Sequence, residues 1–225
     1  DRLVIEHPDY FYEFANDQPV KALCFDIETH SPDGSFPFGE NYPVVAIGIV
    51  TSTGEREVYL WDGEDDKQVL IDFAKFIKSY DPDIIYGYNL VGYDVPQILF
   101  RAKHHGMTNY KKLLNRDGSD YGWQPQKDTD DLRMRAGGRV IVDLLRHTRL
   151  DYALSGLPRG LKPVSKHFGL EPIELDFADK DLLDYSLSEI HEYVLSDVDC
   201  TKYLFDHYYP RMEFIAEFVG VPLET

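Results

Sequence analysis

Three short groups of residues along the chain carry acidic side chains whose spacing would allow them to act together in catalysis or metal binding. The first is Asp26-Ile27-Glu28, at the end of the apolar run 20–28, which is typical of a buried strand. Because side chains alternate across a strand, Asp26 and Glu28 project from one face. Neighbouring carboxylates there repel each other unless a proton or a cation holds them, and oxygen ligands suit Mg²⁺ or Mn²⁺. Taken alone, the pair is better explained by a strand that runs out into solvent.

The second group, Asn89-Leu90-Val91-Gly92-Tyr93-Asp94, directly follows a predicted strand at 83–88. Gly92 permits a tight turn, and Asp94 falls at the N-terminus of the next predicted helix. Taken alone, Asp94 is better explained as a residue that caps or complements that helix than as a metal ligand.

The third group is Tyr193 and Asp197, within a long predicted helix at 186–208. Their i, i+4 spacing puts both side chains on one helical face, and apolar neighbours such as Val194 and Val198 indicate that this face is not simply solvated. A local hydrogen bond would explain this pair alone. The three groups would occur together by chance much less often than any one of them would occur alone. Together they supply four carboxylates, enough for two metal ions, and a tyrosine hydroxyl.

The elements that must position these groups follow from periodicity and turn signals. Strands are predicted at 20–28, 44–50, 56–61 and 83–88, and a strand or strand-to-helix element at 139–145. Helices are predicted at 64–79 with Asp62 as N-cap, from the second group to about 105, at 163–168, and at 186–208 behind the capping box of Ser186 and Glu189. The stretch 106–138 is predicted to be irregular, and 210–222 to start a further helix and connector. This order predicts an α/β protein with a central mixed β-sheet flanked by helices.

Composition excludes several classes of protein. The 225 residues are 43% hydrophobic, which suits a globular chain, and no run of about 18 apolar residues predicts a membrane span. The first residues do not resemble a signal peptide, and two cysteines cannot build a disulfide framework, so we expect an intracellular protein: cytoplasm or nucleoid of a prokaryote, or nucleus of a eukaryote. The absence of an initiator methionine suggests a fragment of a longer polypeptide. Cys24 and Cys200 are expected to be small buried side chains.

Charge is unevenly distributed. The net charge is −17, but residues 101–169 hold 14 Lys and Arg against 7 Asp and Glu, a net +7 that leaves −24 for the rest. Such segregation predicts a basic face that would attract a polyanion, although an ordinary solvated surface explains the uneven charge equally well. The expected contributors are Arg101, Lys103, Lys111, Lys112 and Arg116, of which Lys111 and Lys112 are the candidate nucleic-acid contacts.

With these residues in place, the sequence resembles the DEDD superfamily of 3′→5′ exonucleases, and in particular the proofreading domain of family-B DNA polymerases. The matching motifs are Phe25-Asp26-Ile27-Glu28-Thr29, Tyr88-Asn89-x-x-x-Tyr93-Asp94 and Tyr193-x-x-x-Asp197, the last being the tyrosine version of the third motif. Weaker support comes from the runs 138–143 and 166–170. The resemblance covers roughly 20–209.

The resemblance implies a ribonuclease-H-like fold and hydrolysis at DNA 3′ ends with two divalent metal ions, Mg²⁺ or Mn²⁺. By that analogy Asp26 bridges both ions, Glu28 and Asp197 complete one site, Asp94 supports the other, and Tyr193 orients the attacking water. Thr29, Asn89 and Tyr93 would contact the terminal nucleotides. The loop aromatics Phe36, Phe38 and Tyr42 could stack on unpaired bases or belong to the core.

The resemblance also implies an organisation and partners. Residues 1–19 would be a remnant of a preceding domain, 20–209 the exonuclease domain, and 210–225 a connector toward a polymerase body. The expected partners are a single-stranded DNA 3′ end or frayed primer terminus and the polymerase body of the same parent chain, with no membrane and a monomeric isolated domain. Two alternatives remain open: a stand-alone DEDD-type nuclease acting on RNA or repair intermediates, and a non-catalytic architectural domain.

Overall fold

The computed structural model describes residues 19–128, 131–177, 180–220 and 223. Within them lie seven strands: β1 (Ala22–Thr29), β2 (Val44–Thr51), β3 (Arg56–Leu60), β4 (Ile84–Gly87), β5 (Gln126–Asp128), β6 (Asp131–Arg133) and β7 (Val140–Asp143). The same residues form six α-helices: α1 (Lys67–Tyr80), α2 (Asp94–His104), α3 (Tyr110–Leu114), α4 (Leu144–Leu150), α5 (Leu161–His167) and α6 (Leu187–Val219). Short 3₁₀ turns lie at Tyr152–Leu154 and Leu182–Asp184.

Five strands form one mixed sheet in the order β3-β2-β1-β4-β7. β1 and β2 pair antiparallel, as do β2 and β3, whereas β1 with β4 and β4 with β7 are parallel. β5 and β6 form a separate antiparallel hairpin. The predicted α/β architecture with a central mixed sheet flanked by helices is confirmed.

The core occupies both faces of the sheet, which is why the central strands are apolar along nearly their whole length. On one face Phe25 and Ile27 of β1 pack with Phe73 of α1 and Ile98 of α2. On the other face Cys24 of β1 packs in a cluster that includes Tyr86, Val198, Leu204 and Phe205. Since alternate residues of β1 belong to opposite faces, Asp26 and Glu28 lie on the α6 face, as the alternation predicts.

The long helix α6 differs from its prediction at its C-terminal end. Its N-terminus has the predicted capping box, in which Ser186 and Glu189 exchange hydrogen bonds. The helix does not end near 208, however, but continues through Pro210 to Val219. Tyr208 and Met212, on either side of the proline, are buried in the core, and this packing offsets the backbone hydrogen bond that Pro210 cannot make. The segment predicted to start a further helix is therefore the end of this one.

Helix α1 begins later than predicted, and Asp62 is not its N-cap. Asp66 precedes the first helical residue, and its side chain makes no capping hydrogen bond. It is fully buried, where it accepts hydrogen bonds from the Val44 amide at 2.8 Å and from two nitrogens of Arg101 at 2.7 and 2.8 Å. The residue before the helix is thus held by a buried ion pair with α2, which local sequence signals do not encode.

The stretch 106–138 is more ordered than predicted. It contains α3 and the β5–β6 hairpin, and it buries Tyr110, Leu114, Trp123 and Met134 against the core. Apart from Tyr110 and Leu114, which are four residues apart, these anchors are too widely spaced to produce a periodic pattern. At 139–145 the predicted strand-to-helix element is confirmed, because β7 leads directly into α4.

Of the predicted organisation, residues 1–18 and four of the last five lie outside the described residues, and α6 crosses the expected boundary at 209/210 without a break. Cys24 and Cys200 are both buried, as expected. A search of the described helices finds none long and apolar enough to cross a membrane.

Candidate functional site

The predicted carboxylates of the first and third groups meet on the α6 face of the sheet. Asp26 and Glu28 project from the end of β1, and Asp197 projects toward them from α6. One oxygen from each of the three carboxylates lies within 4.8 Å of the others. Asp197 is buried, whereas Asp26 and Glu28 are half-buried. This spacing suits three oxygen ligands of one hard cation.

A glycine allows α6 to come this close to the sheet. Gly48 of β2 pairs directly with Asp26 in the β1–β2 register. A β-carbon at Gly48 would lie 2.8 Å from a methyl group of Val194 and 3.2 Å from its carbonyl oxygen. The missing side chain therefore admits the turn of α6 that lies between Tyr193 and Asp197. A glycine inside a buried strand is a sequence signal for such a close approach.

Asp94 lies beside the cluster rather than within it. It is the first residue of α2, it is buried, and one of its oxygens accepts a hydrogen bond of 3.2 Å from the Ile27 amide. The residue in the N-cap position is Tyr93, and no side chain caps the helix there. The contact with β1 ties Asp94 to the strand that carries Asp26 and Glu28, so a local capping role does not account for its position.

The loop that carries Asn89 is held by Asp143, at the end of β7. One oxygen of Asp143 accepts a hydrogen bond from the Asn89 amide and the other from the Val91 amide, each at 2.9 Å. The left-handed residue of this turn is Asn89, with φ of 64°, and not Gly92. A β-carbon at Gly92 would lie 2.5 Å from the Asn89 side-chain oxygen, so a side chain at this position would displace the Asn89 amide group. Asp143, in the run 138–143, therefore supports the second group through these two hydrogen bonds.

Burial and mutual repulsion destabilise the charged forms of these carboxylates. Burial raises the pKa of Asp26 well above its usual range, and the charges of Asp94, Glu28 and Asp197 raise it further. Burial and then Asp197 act in the same way on the pKa of Glu28. Burial is also the main cause that raises the pKa of Asp94 to about 7, with Asp143 contributing. A bound cation would relieve this repulsion.

A cation that the sequence predictions missed lies in the site. Lys162, in the first turn of α5, forms an ion pair with Asp197, and its ammonium lies 4.1 Å from the centre of the Tyr193 ring.

Tyr193 and Asp197 share one face of α6, as predicted. Burial and then the nearby carboxylates raise the pKa of the Tyr193 hydroxyl, so it stays protonated near neutral pH. It can therefore donate a hydrogen bond but cannot act as an efficient base.

The predicted nucleotide contacts Thr29 and Tyr93 adjoin the site. Their hydroxyl oxygens lie 2.6 Å apart, and Tyr93 also donates a hydrogen bond of 2.8 Å to the Pro37 carbonyl. The rings of Phe36 and Phe38 lie 5.5 and 5.8 Å from that of Tyr93. Phe36 is 75% exposed, so it is not a core residue and forms an apolar surface beside Tyr93.

The structure does not bring Lys111 and Lys112 to the cluster. They lie on α3, which is tied through Arg139 to Asp81, just before the start of β4. The carboxylates lie at the C-terminal end of β1, which runs parallel to β4, whereas α3 is tied to the N-terminal end of β4, so the two groups lie toward opposite ends of these strands. Lys111 donates a hydrogen bond to a backbone carbonyl, and Lys112 pairs with Asp120 at 3.2 Å.

The other predicted contributors to a basic face are also engaged with acidic residues. Arg101 is buried against Asp66, Lys103 pairs with Glu40, and Arg116 pairs with Asp81 and Asp83. Much of the positive charge of 101–169 is thus neutralised by acidic residues elsewhere in the chain, which the distribution of charge along the sequence does not reveal.

The mixed sheet, the helix crossing its face and the carboxylates between them define a ribonuclease-H-like domain with a candidate metal centre. Residues 50–164, about half of the chain, match the family model described as DNA polymerase family B, exonuclease domain. The chain belongs to this family.

Relatives and a solved structure agree with this assignment. The chain is 29% identical over 197 residues to the DNA polymerase delta catalytic subunit of Candida albicans, a match that covers 74% of this chain and 18% of that protein. It is 34% identical over 125 residues to a DNA polymerase of Archaeoglobus fulgidus, covering 56% of this chain and 14% of that protein. The solved family-B DNA polymerase of the hyperthermophilic archaeon Pyrobaculum calidifontis superposes with a TM-score of 0.72 and 30% identity, covering 92% of this chain and 27% of that one. The chain thus spans less than a third of each of these proteins.

Proposed function

We propose that this chain removes nucleotides from DNA 3′ ends by metal-dependent phosphodiester hydrolysis, as the proofreading domain of a family-B DNA polymerase. The observation that carries the proposal is the convergence of Asp26, Glu28 and Asp197 within 4.8 Å of one another on a family-B exonuclease fold. The polymerase body and the DNA substrate follow from the relatives, which are DNA polymerases. Such a role implies an intracellular location.

The donor set fits divalent metal ions. All the candidate ligands are carboxylates, and their raised pKa values support this fit, because a bound divalent ion would stabilise their charged forms. Asp26, Glu28 and Asp197 would hold one ion, and Asp26 with Asp94 a second. Mg²⁺ and Mn²⁺ both suit oxygen ligands, and no soft ligand that would favour Zn²⁺ belongs to the cluster. Such ions, when bound, lower the pKa of water and stabilise charge on the phosphodiester oxygens.

The protein's own residues would position the substrate. The protonated Tyr193 hydroxyl would donate or accept a hydrogen bond that orients the attacking water beside Asp197. Thr29 and Tyr93, which follow Glu28 and precede Asp94 in the chain, would contact the last nucleotides together with Asn89, while the exposed ring of Phe36 would stack on a base. That DNA binds to Lys111 and Lys112 stays a prediction, and the distance of α3 from the carboxylate cluster does not support it.

The test is release of mononucleotides from a 3′-labelled single strand, with Mg²⁺, with Mn²⁺ or with EDTA. The matched control is the double variant Asp26→Ala, Glu28→Ala, which should keep its fold because two repelling charges are removed from the end of β1. We expect hydrolysis by the wild-type protein with either metal and none by the double variant. Equal hydrolysis by both proteins, or hydrolysis in EDTA, would contradict the proposal.

The relatives give no support to the alternative of a nuclease acting on RNA or repair intermediates. The same assay with a matched RNA strand tests it, and faster hydrolysis of RNA than of DNA would favour it. A non-catalytic architectural domain is disfavoured because all four carboxylates are retained around one site.

A further inference from the structure

Lys162 lies among carboxylates in a place that its own helix does not favour. It is in the first turn of α5, where a positive charge opposes the helix dipole. Pro163, the next residue, fixes the backbone there. Local helix stability therefore does not explain the lysine, and a residue that breaks a local preference calls for another role.

The contacts of Lys162 identify that role. Its ammonium forms the ion pair with Asp197 and covers the Tyr193 ring at 4.1 Å, and its charge lowers the pKa of Asp26, Glu28 and Asp197 alike. Its charge thus acts on the same three carboxylates whose oxygens converge within 4.8 Å. A divalent ion bound by these oxygens and the ammonium would both engage the Asp197 carboxylate, and they carry charge of the same sign.

We propose that Lys162 is a positioning residue that supplies the counter-charge of the carboxylate cluster in the metal-free protein, and that a divalent ion must displace its ammonium in order to bind. Lys162 thereby sets the metal affinity of the site. The side chain is 20% exposed, so its flexible stem has a way out toward solvent. The inference rests on the proposed metal-dependent function, but it concerns binding of the metal and not cleavage of DNA.

The test is Mn²⁺ binding by the folded protein in the absence of DNA, followed by calorimetry. Removing the competing charge in Lys162→Met should tighten Mn²⁺ binding on the order of tenfold, within the usual range of coupling between two sites. Lys162→Arg keeps the charge and should bind Mn²⁺ much as the wild-type protein does. The matched control is Lys166→Met, one turn further along α5, because Lys166 pairs with Glu174 and both side chains are 56% exposed. This control should leave the affinity unchanged.

A second measurement uses the wild-type protein and needs no variant. Linkage requires that if the ammonium opposes the metal, the metal also releases the ammonium. Acylation of Lys162 by an amine-reactive reagent, followed by mass spectrometry, should therefore be faster with saturating Mn²⁺ than in EDTA, while acylation of Lys166 should not change.

Two results would overturn the inference: Mn²⁺ affinity in Lys162→Met equal to or weaker than in the wild-type protein, or acylation of Lys162 that is unaffected by Mn²⁺. If the wild-type protein bound Mn²⁺ and cleaved DNA while either result held, only this inference would fail. If the wild-type protein bound no Mn²⁺ at all, the proposed function would fail with it.

Discussion

Replacing Asp94 by asparagine should stabilise the metal-free protein, and the gain should grow with pH. Asparagine is nearly the same size, and it keeps an oxygen that can accept the hydrogen bond from the Ile27 amide. It cannot carry the negative charge that burial disfavours. In the folded protein the pKa of Asp94 is raised from 3.8 to about 7, mainly by burial.

The pH dependence of this gain in stability follows from proton linkage. Below the unfolded pKa both states hold the proton, so the aspartate costs nothing relative to asparagine. Between the two pKa values the folded state holds more protons than the unfolded state, and stability falls as the pH rises. At about 1.36 kcal/mol per pKa unit, the cost approaches roughly 4 kcal/mol at pH 8 and about half of that at pH 5.5.

The assay is urea denaturation in EDTA at both pH values. We expect Asp94→Asn to gain between about 2 and 4 kcal/mol at pH 8, which for a domain of this size is a rise in Tm of roughly 5–15 °C. Asp72→Asn is the control, because hydrogen bonds from Gln68 and Lys75 lower the pKa of Asp72, so this variant should gain nothing. A loss of stability in Asp94→Asn, or an equal gain at both pH values, would refute the reasoning.

Three further predictions concern the site and its support. Tyr193→Phe should lower kcat by roughly tenfold to a hundredfold, because one oriented hydrogen bond to the attacking water is lost, yet it should leave Mn²⁺ binding nearly intact. Asp197→Ala should weaken Mn²⁺ binding, and equal weakening in both variants would mean that the roles of Tyr193 and Asp197 are assigned wrongly. Gly48→Ala should push α6 from the sheet and reduce both stability and hydrolysis, and a fully active, equally stable variant would show that the close approach is not needed. The double variant Lys111→Ala, Lys112→Ala should weaken binding of all single strands and flatten its salt dependence if these lysines contact phosphates; curves that superimpose on the wild-type titration would place the binding groove elsewhere.

The neutralised charge of residues 101–169 shows where reasoning from the sequence stops. Counting charges along the chain predicts a basic face, but the acidic partners lie far away in sequence: Asp66 is 35 residues from Arg101, and Glu40 is 63 residues from Lys103. Only folding brings them together. Charge in a sequence window therefore indicates composition, whereas the surface potential depends on tertiary pairing.

The sequence by itself determined the strands of the central sheet, the order of the main elements around them and the acidic residues of the candidate site, because these depend on local periodicity and on side-chain chemistry. Asp26 and Glu28 share a face because β1 is a strand, and Tyr193 and Asp197 share one because α6 is a helix. Only the tertiary structure decided which faces meet. Gly48 admits α6, Asp143 holds the loop before Asp94, and Lys162 reaches Asp197 across 35 residues of sequence. These contacts join distant parts of the chain, and neither periodicity nor local propensity encodes them.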